Sequence, residues 1–317
     1  MRTTRTGGGA RCRGRALRGR TVAGMALLVA IYAAACAVPD RPPRVTESPV
    51  AGEVDPFIGT GGHGHTYPGA TVPFGMVQVS PDNGRSGWDW TSGYHWSDSV
   101  VTGFSHTHLS GTGIGDLLDV LVMPVAGDVD LGVAREPDGT RPWADRLSHD
   151  DEAAEPGYYA VTLQQSGIEV ELTATPRVGL HRVRYPVGGA SEGAGSPGGA
   201  SGGTVSGGSG GASHGNGASL RALPPNGAPG LVIDLGYAEN WDTPTRTELV
   251  QVADTLFTGR RYSRGWANDE RVYFALATSR PVTAVERAFD SPRTRALLRF
   301  GPDADRAPLL VKVAVSY

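Results

Sequence analysis

Cysteine is nearly missing. The chain of 317 residues carries only Cys12 and Cys36, both ahead of any segment that looks folded, so no disulfide framework can hold the domain together and packing must do so. Lysine is scarcer still, with Lys312 the single example among 29 basic residues. Acidic residues number 32, and seven of the arginines crowd into the first 35 positions beside no acid at all. Beyond that segment 22 basic residues face 32 acidic ones, a charge near −10. Binding nucleic acid depends on clustered basic charge, so this balance argues against such a partner. A sustained 3.6-residue apolar period is absent too, which excludes a helical bundle.

The arginine-rich start runs into an apolar stretch at residues 22–35. Fourteen residues are too few to cross a bilayer as a helix, which needs about 20, so the segment reads as an export signal. It ends in Ala33-Ala34-Ala35-Cys36, similar to a lipobox. On that reading residues 1–35 are removed, Cys36 is lipidated, and the protein is anchored at the cell surface or periplasmic side. The alternative is an ordinary signal peptide and a secreted product. Residues 36–53, with four prolines, suit a tether, and the folded domain is expected from Val54.

Short runs of alternating hydrophobicity follow at residues 76–80, 120–123, 158–163, 168–173, 178–185, 231–235, 249–253, 272–278 and 309–315. Turn residues bracket each run, which predicts an all-β fold, an antiparallel β-sandwich rather than a barrel at this size. Residues 188–219 are nearly all Gly, Ser and Ala and are expected to be a disordered insertion. The alternative is a domain boundary. An insertion is tolerable because lengthening a loop from four to 32 residues costs only about 2 kcal/mol, and the flanking runs read as strands of one sheet. The final residues resemble a core strand, so the sequence reads as a fragment of a longer protein.

Three segments concentrate chemistry. His63 and His65, like His106 and His108, form His-x-His pairs, which on an extended strand would share a face and suit a transition metal. The other reading is loop histidines hydrogen-bonded to carbonyls or to sugar hydroxyls. Trp88, Asp89, Trp90, Tyr94 and Trp96 stand within nine residues. Sugars present flat C–H faces ringed by hydroxyls, which an aromatic ring with a neighbouring acid matches; core filling is the competing reading. Asn240, Trp241 and Asp242, and then Trp266, Asn268 and Asp269, form similar polar-aromatic groups. Glycoside cleavage needs two carboxyl groups about 5 to 9.5 Å apart. Asp89, Asp98, Asp116 and Asp119 are candidates, but spacing assigns none of them a catalytic role.

The segments at residues 54–70, 73–82, 92–95, 103–113 and 265–269 resemble glycoside hydrolase family 92, the calcium-dependent exo-acting α-mannosidases. Among them are Asp55-Pro56-Phe57-Ile58-Gly59-Thr60-Gly61, Pro73-Phe74-Gly75 and Gly265-Trp266-Ala267-Asn268-Asp269. The resemblance implies the N-terminal β-sandwich of a two-domain enzyme. Its partner, a C-terminal (α/α)6 barrel, would hold the catalytic Glu and Asp and most ligands of a Ca2+ ion, and the reaction on mannose-containing glycans would invert configuration. It further implies Trp88 as a sugar-contacting ring, with Asp89, His63 and His65 beside it. Trp90, His106, His108, Trp266, Asn268 and Asp269 would line the site or the domain interface. A free-standing carbohydrate-binding module is the alternative. The two differ in one physical respect: a sandwich that docks on another domain should expose an apolar patch.

Overall fold

The computed structural model describes residues 50–186, 227–301 and 307–317. The expected signal (1–35), the Cys36 lipidation site, the tether up to residue 49 and the glycine-rich insertion (188–219) lie outside the described residues. The described residues all belong to one compact unit.

The described residues contain seventeen strands. The first ten are β1 (Ala70–Thr71), β2 (Gln78–Asp82), β3 (Val100–Val101), β4 (Gly103–Ser105), β5 (Leu121–Ala126), β6 (Asp145–Arg146), β7 (Glu152–Glu155), β8 (Tyr158–Thr162), β9 (Glu169–Ala174) and β10 (Val178–Arg184). The rest are β11 (Pro229–Asp234), β12 (Thr243–Ala253), β13 (Leu256–Arg264), β14 (Glu270–Thr278), β15 (Val282–Asp290), β16 (Arg293–Phe300) and β17 (Leu309–Ser316). Among the described residues the only helical elements are three-residue 3-10 turns. One sheet runs β1-β2-β4-β5-β11-β16-β15, the other β12-β13-β14-β17-β10-β9-β8-β7, and β3 pairs with β6. Every pairing is antiparallel, and the two large sheets pack as a β-sandwich.

Period-two burial explains the packing of the eight-stranded sheet. In β10 every second residue is buried (Gly179, His181, Val183), and β14 and β17 alternate likewise, so one face meets the core. β5 is different: all six of its residues are buried, so both of its faces are covered, as befits a continuous apolar run in mid-sheet. Val232 and Leu298 from the first sheet and Leu172, Phe257 and Val313 from the second belong to one apolar core.

Two expectations need correcting. The runs flanking the insertion do not share a sheet: β10 and β11 sit in opposite sheets across the core. A fully apolar stretch such as 231–235 fits the centre of either sheet, and periodicity carries no information about which. Val120 is not the start of a strand, because it holds φ 56°, a left-handed conformation that ends the extended run.

Candidate functional site

An aromatic rim sits on the loop at residues 109–120. The 3-10 turn Trp88–Trp90 follows Gly87, whose N–H donates to Asn240 Oδ1 at 2.6 Å. This turn leaves the Trp88 ring 61% exposed. Trp88 is propped from two sides. His65 meets it edge-on with ring centroids 4.8 Å apart, and a methyl group at Gly113 would come within 2.5 Å of the indole. Gly113 also holds φ +63°, so glycine is required there on both counts. Beside the ring, His63 Nδ1 and Asp89 Oδ1 are 2.5 Å apart at the surface. The structure thus brings His63, His65, Trp88 and Asp89 together, an exposed flat ring flanked by a polar pair.

Trp90 faces a different task. Its indole N–H donates to Asp98 Oδ2 at 2.5 Å, and Arg85 Nε lies 3.0 Å from the other oxygen of that carboxylate. Burial raises the Asp98 pKa, against the opposing pull of Trp90 and Arg85.

Two exposed rings from other loops are tied to this loop through their backbones. Trp241 donates its backbone N–H to Gly115 O at 3.0 Å, and Trp266 donates its own to Asp116 Oδ2 at 2.7 Å. Their side chains are as exposed as Trp88. Three indoles are therefore anchored on residues 113–116, a stretch that spans at most about 14 Å.

The second His-x-His pair is buried and divided. His106 Nδ1 lies 2.7 Å from Val120 O and its Nε2 lies 3.0 Å from His181 Nε2 on β10. A carbonyl only accepts, so His106 Nδ1 carries its proton and His181 Nε2 donates to His106 Nε2. Burial lowers both: His106, also facing His108, falls to about 4, and His181 falls well below the ordinary value. His108 instead bonds Gln78 O at 2.7 Å and approaches Asp82 Oδ1 at 3.2 Å. Each imidazole thus serves a separate hydrogen-bond network, and the shared-face metal geometry anticipated for His-x-His pairs does not form. The strand that would have aligned them ends at Ser105.

Behind Trp266 lies a buried charge cluster. Asp242 enters β12, Glu270 opens β14, and Arg261 stands on β13 between them. The Arg261 guanidinium is wholly buried; it reaches Asp119 at 2.5 Å, pairs with Asp242, and donates to Tyr237 O at 3.0 Å. Burial disfavours its charge, but Asp119 and Asp242 outweigh that and push its pKa above the ordinary value. Glu270 has no such partner. Burial, followed by the charge of Asp119, lifts it to about 7, with Arg261 opposing. Asp119 is further held by Thr107, whose hydroxyl donates to its Oδ2 at 2.7 Å. Asp116 accepts from the N–H of Leu117 at 3.0 Å as well as from Trp266. Asp116 and Glu270 line an open cavity of about 580 Å³ with Leu117, Trp266 and Tyr317. Asp269 and Arg271 line the same cavity as an exposed ion pair at 2.6 Å, and Asn268 gives its backbone carbonyl to Arg264.

The family model "Glycosyl hydrolase family 92 N-terminal domain" matches residues 53–316. The chain belongs to glycosyl hydrolase family 92. It is similar to a solved family 92 α-mannosidase of Bacteroides thetaiotaomicron bound to mannoimidazole, at 29% identity and TM-score 0.64, over 85% of this chain and 32% of that one. It is also similar to a family 92 inverting mannosidase of the same species, at 25% identity and TM-score 0.57, over 83% of this chain and 31% of that one. A curated relative, an uncharacterized secreted glycosidase of Arthroderma benhamiae, is 35% identical over 147 residues, 44% of this chain and 18% of that protein. The chain therefore spans about a third of the solved family 92 enzymes it matches and less of the curated relative.

Sequence reasoning singled out the rim of this family 92 domain but missed Arg261 and Glu270. Arg261 lies in Gly259-Arg260-Arg261, a stretch without the apolar alternation by which the other strands are recognised. Glu270 follows the motif residue Asp269 directly, and successive residues of an extended chain point to opposite faces, which separates the exposed acid from the buried one.

Proposed function

We propose that this chain is the substrate-site-contributing N-terminal domain of an exported α-mannosidase that removes terminal α-mannosyl residues from glycans. The observation that carries the reading is the exposed Trp88 ring, braced by His65 and Gly113, with the next residue, Asp89, paired to His63. A mannose C–H face stacks on the indole, and the imidazole and carboxylate take its hydroxyls. The clustered exposure of Trp88, Trp241 and Trp266 supports docking against a C-terminal catalytic domain, an (α/α)6 barrel, which would cover that rim and exclude water from the bound sugar.

Hydrolysis by inversion needs a general acid and a base separated widely enough to admit water. In this reading the Glu and Asp concerned, and most ligands of a Ca2+ ion that engages the mannose hydroxyls, come from the barrel. Within the sandwich, Asp98 and Asp119 are committed to Trp90, Arg85, Thr107 and Arg261, which leaves them no free role in acid–base work. The arginine-rich leader and a relative named as secreted support export. Cys36 would add a lipid anchor.

The test is Trp88→Ala in the two-domain enzyme. The expected result is a fall in kcat/KM of at least about tenfold, equivalent to about 1.4 kcal/mol of transition-state binding, with the fold intact. Unchanged kcat/KM would overturn the role of the ring. Release of mannose by the 317-residue chain alone would overturn the division of labour. Saturable mannobiose binding by that chain would favour a free-standing binding module.

A further inference from the structure

We propose that Asp116, Asp242 and Glu270 bind a divalent cation of the calcium class within the sandwich itself, separate from any ion in the catalytic domain. All three residues are buried, and one oxygen from each lies within 4.8 Å of the others. Calcium–oxygen bonds of 2.3–2.6 Å allow two ligands of one ion to stand up to about 5 Å apart, so a single ion can reach all three.

A second observation points to a missing partner. The Asp242 side chain has no exposed surface, and while its Oδ2 pairs with Arg261, its Oδ1 accepts no hydrogen bond, because the neighbouring Ser263 hydroxyl donates to Glu270 Oε2 at 3.3 Å instead. A buried carboxylate oxygen left so is costly unless something positive meets it. Arg261 does not meet it: its two terminal nitrogens go to Asp119, Asp242 and Tyr237 O, and its Nε, also buried, is itself left without a partner. Four buried carboxylates (Asp116, Asp119, Asp242, Glu270) thus share one buried guanidinium, which contacts only Asp119 and Asp242, and the Arg271 that lines the adjoining cavity is paired with Asp269.

The donor set identifies the class of ion. Carboxylate oxygens without sulfur or imidazole favour a hard cation over zinc or copper. Three protein ligands leave the rest of the shell to water, which the open cavity beside Asp116 and Glu270 admits. Calcium tolerates such an irregular, part-hydrated shell, whereas magnesium demands near-octahedral geometry at 2.0–2.1 Å. Gly265 fits the site as well: a side chain there would strike the Asp116 carboxylate, with its first carbon 2.2 Å from Oδ1.

Terbium, a luminescent calcium mimic, tests this in the 317-residue chain, because Trp266 donates to Asp116 and sits close enough to sensitise emission. The expected result is emission saturating at one Tb3+ per chain, displaced by Ca2+ more readily than by Mg2+, together with a higher Tm in Ca2+ than in EDTA. Glu270→Gln and Asp116→Asn should each weaken binding at least tenfold, while Asp128→Asn, at an exposed carboxylate outside the cluster, leaves it unchanged. Absence of Ca2+-displaceable emission, an equal response to Mg2+, or undiminished binding by Glu270→Gln would each overturn the proposal. Should the variants fail to fold, the wild-type titration and its Ca2+-dependent Tm still decide it.

Discussion

Arg261→Met is the most informative single perturbation of the fold. Its guanidinium is the sole buried counter-charge to Asp119 and Asp242, and all three side chains have no exposed surface. Methionine fills much of the space but leaves two carboxylates without a cation. Breaking a buried pair in this way costs about 3–5 kcal/mol. The fold has one escape, which is to protonate a carboxylate. For a group with an ordinary pKa near 3.9, that costs about 4 kcal/mol at pH 7 and about 1.5 kcal/mol at pH 5. The variant should therefore lose about 4 kcal/mol at pH 7 and recover more than half of it at pH 5. The sign follows from linkage: the folded variant then holds at least one proton more than the unfolded chain, so its stability falls by about 1.4 kcal/mol per pH unit as pH rises through that window. Urea unfolding of wild type and variant in EDTA, at pH 5 and 7 and one ionic strength, measures the difference directly. A penalty below about 1 kcal/mol, or one that does not change with pH, would refute the claim that Arg261 neutralises buried ionised acids.

Two further outcomes follow from the same structure. The His106–His181 pair is buried neutral, so the unfolded chain takes up protons first as pH falls; His106 alone should remove about 3 kcal/mol of stability between its unfolded value near 6.5 and its folded value of about 4. Glu270 acts in the opposite sense between about 7 and 4.5, so the effect is best read in Glu270→Gln, with the His106 proton NMR shift titrating near 4 as the direct check. Gly113→Ala should cost about 1–2 kcal/mol from its left-handed backbone and displace the Trp88 ring, read as a change in Trp88 fluorescence and weaker glycan binding by the two-domain enzyme; a variant as stable as wild type with unchanged emission would contradict the brace.

The sandwich is legible in the sequence where strands alternate cleanly, as in β10, β14 and β17, because period-two burial leaves a direct trace. It is illegible where a buried arginine enters a strand. β13 and β16 carry Arg261 and Arg295, both buried, which hydrophobic periodicity treats as exterior. β15 escapes notice for the opposite reason: it is an edge strand with most of its residues exposed, so it needs little apolar patterning. The rim at Trp88 and Asp89 is visible because aromatics, acids and glycines crowd together in sequence. The carboxylate cluster assembles from β12, β13, β14 and the 109–120 loop, and only tertiary contact reveals it.

The two assemblies are mechanically one. Leu117, Leu118 and Val120 all hold positive φ, a conformation that disfavours each by about 1–2 kcal/mol and persists only when the surroundings enforce it. The enforcement comes from Asp119, fixed at both ends: its N–H and carboxylate both engage the Thr107 hydroxyl, its carbonyl accepts from His106 N–H at 2.9 Å, and Arg261 holds its other oxygen. Release of Asp119 should let this strained stretch relax, and residues 113–116, which seat three indoles, are continuous with it. The position of the Trp88 ring thus depends on a buried ion pair that it does not touch. Arg261→Met should therefore alter tryptophan emission under conditions where the variant is still folded, whereas a purely local loss of charge pairing would leave that spectrum as it is in wild type.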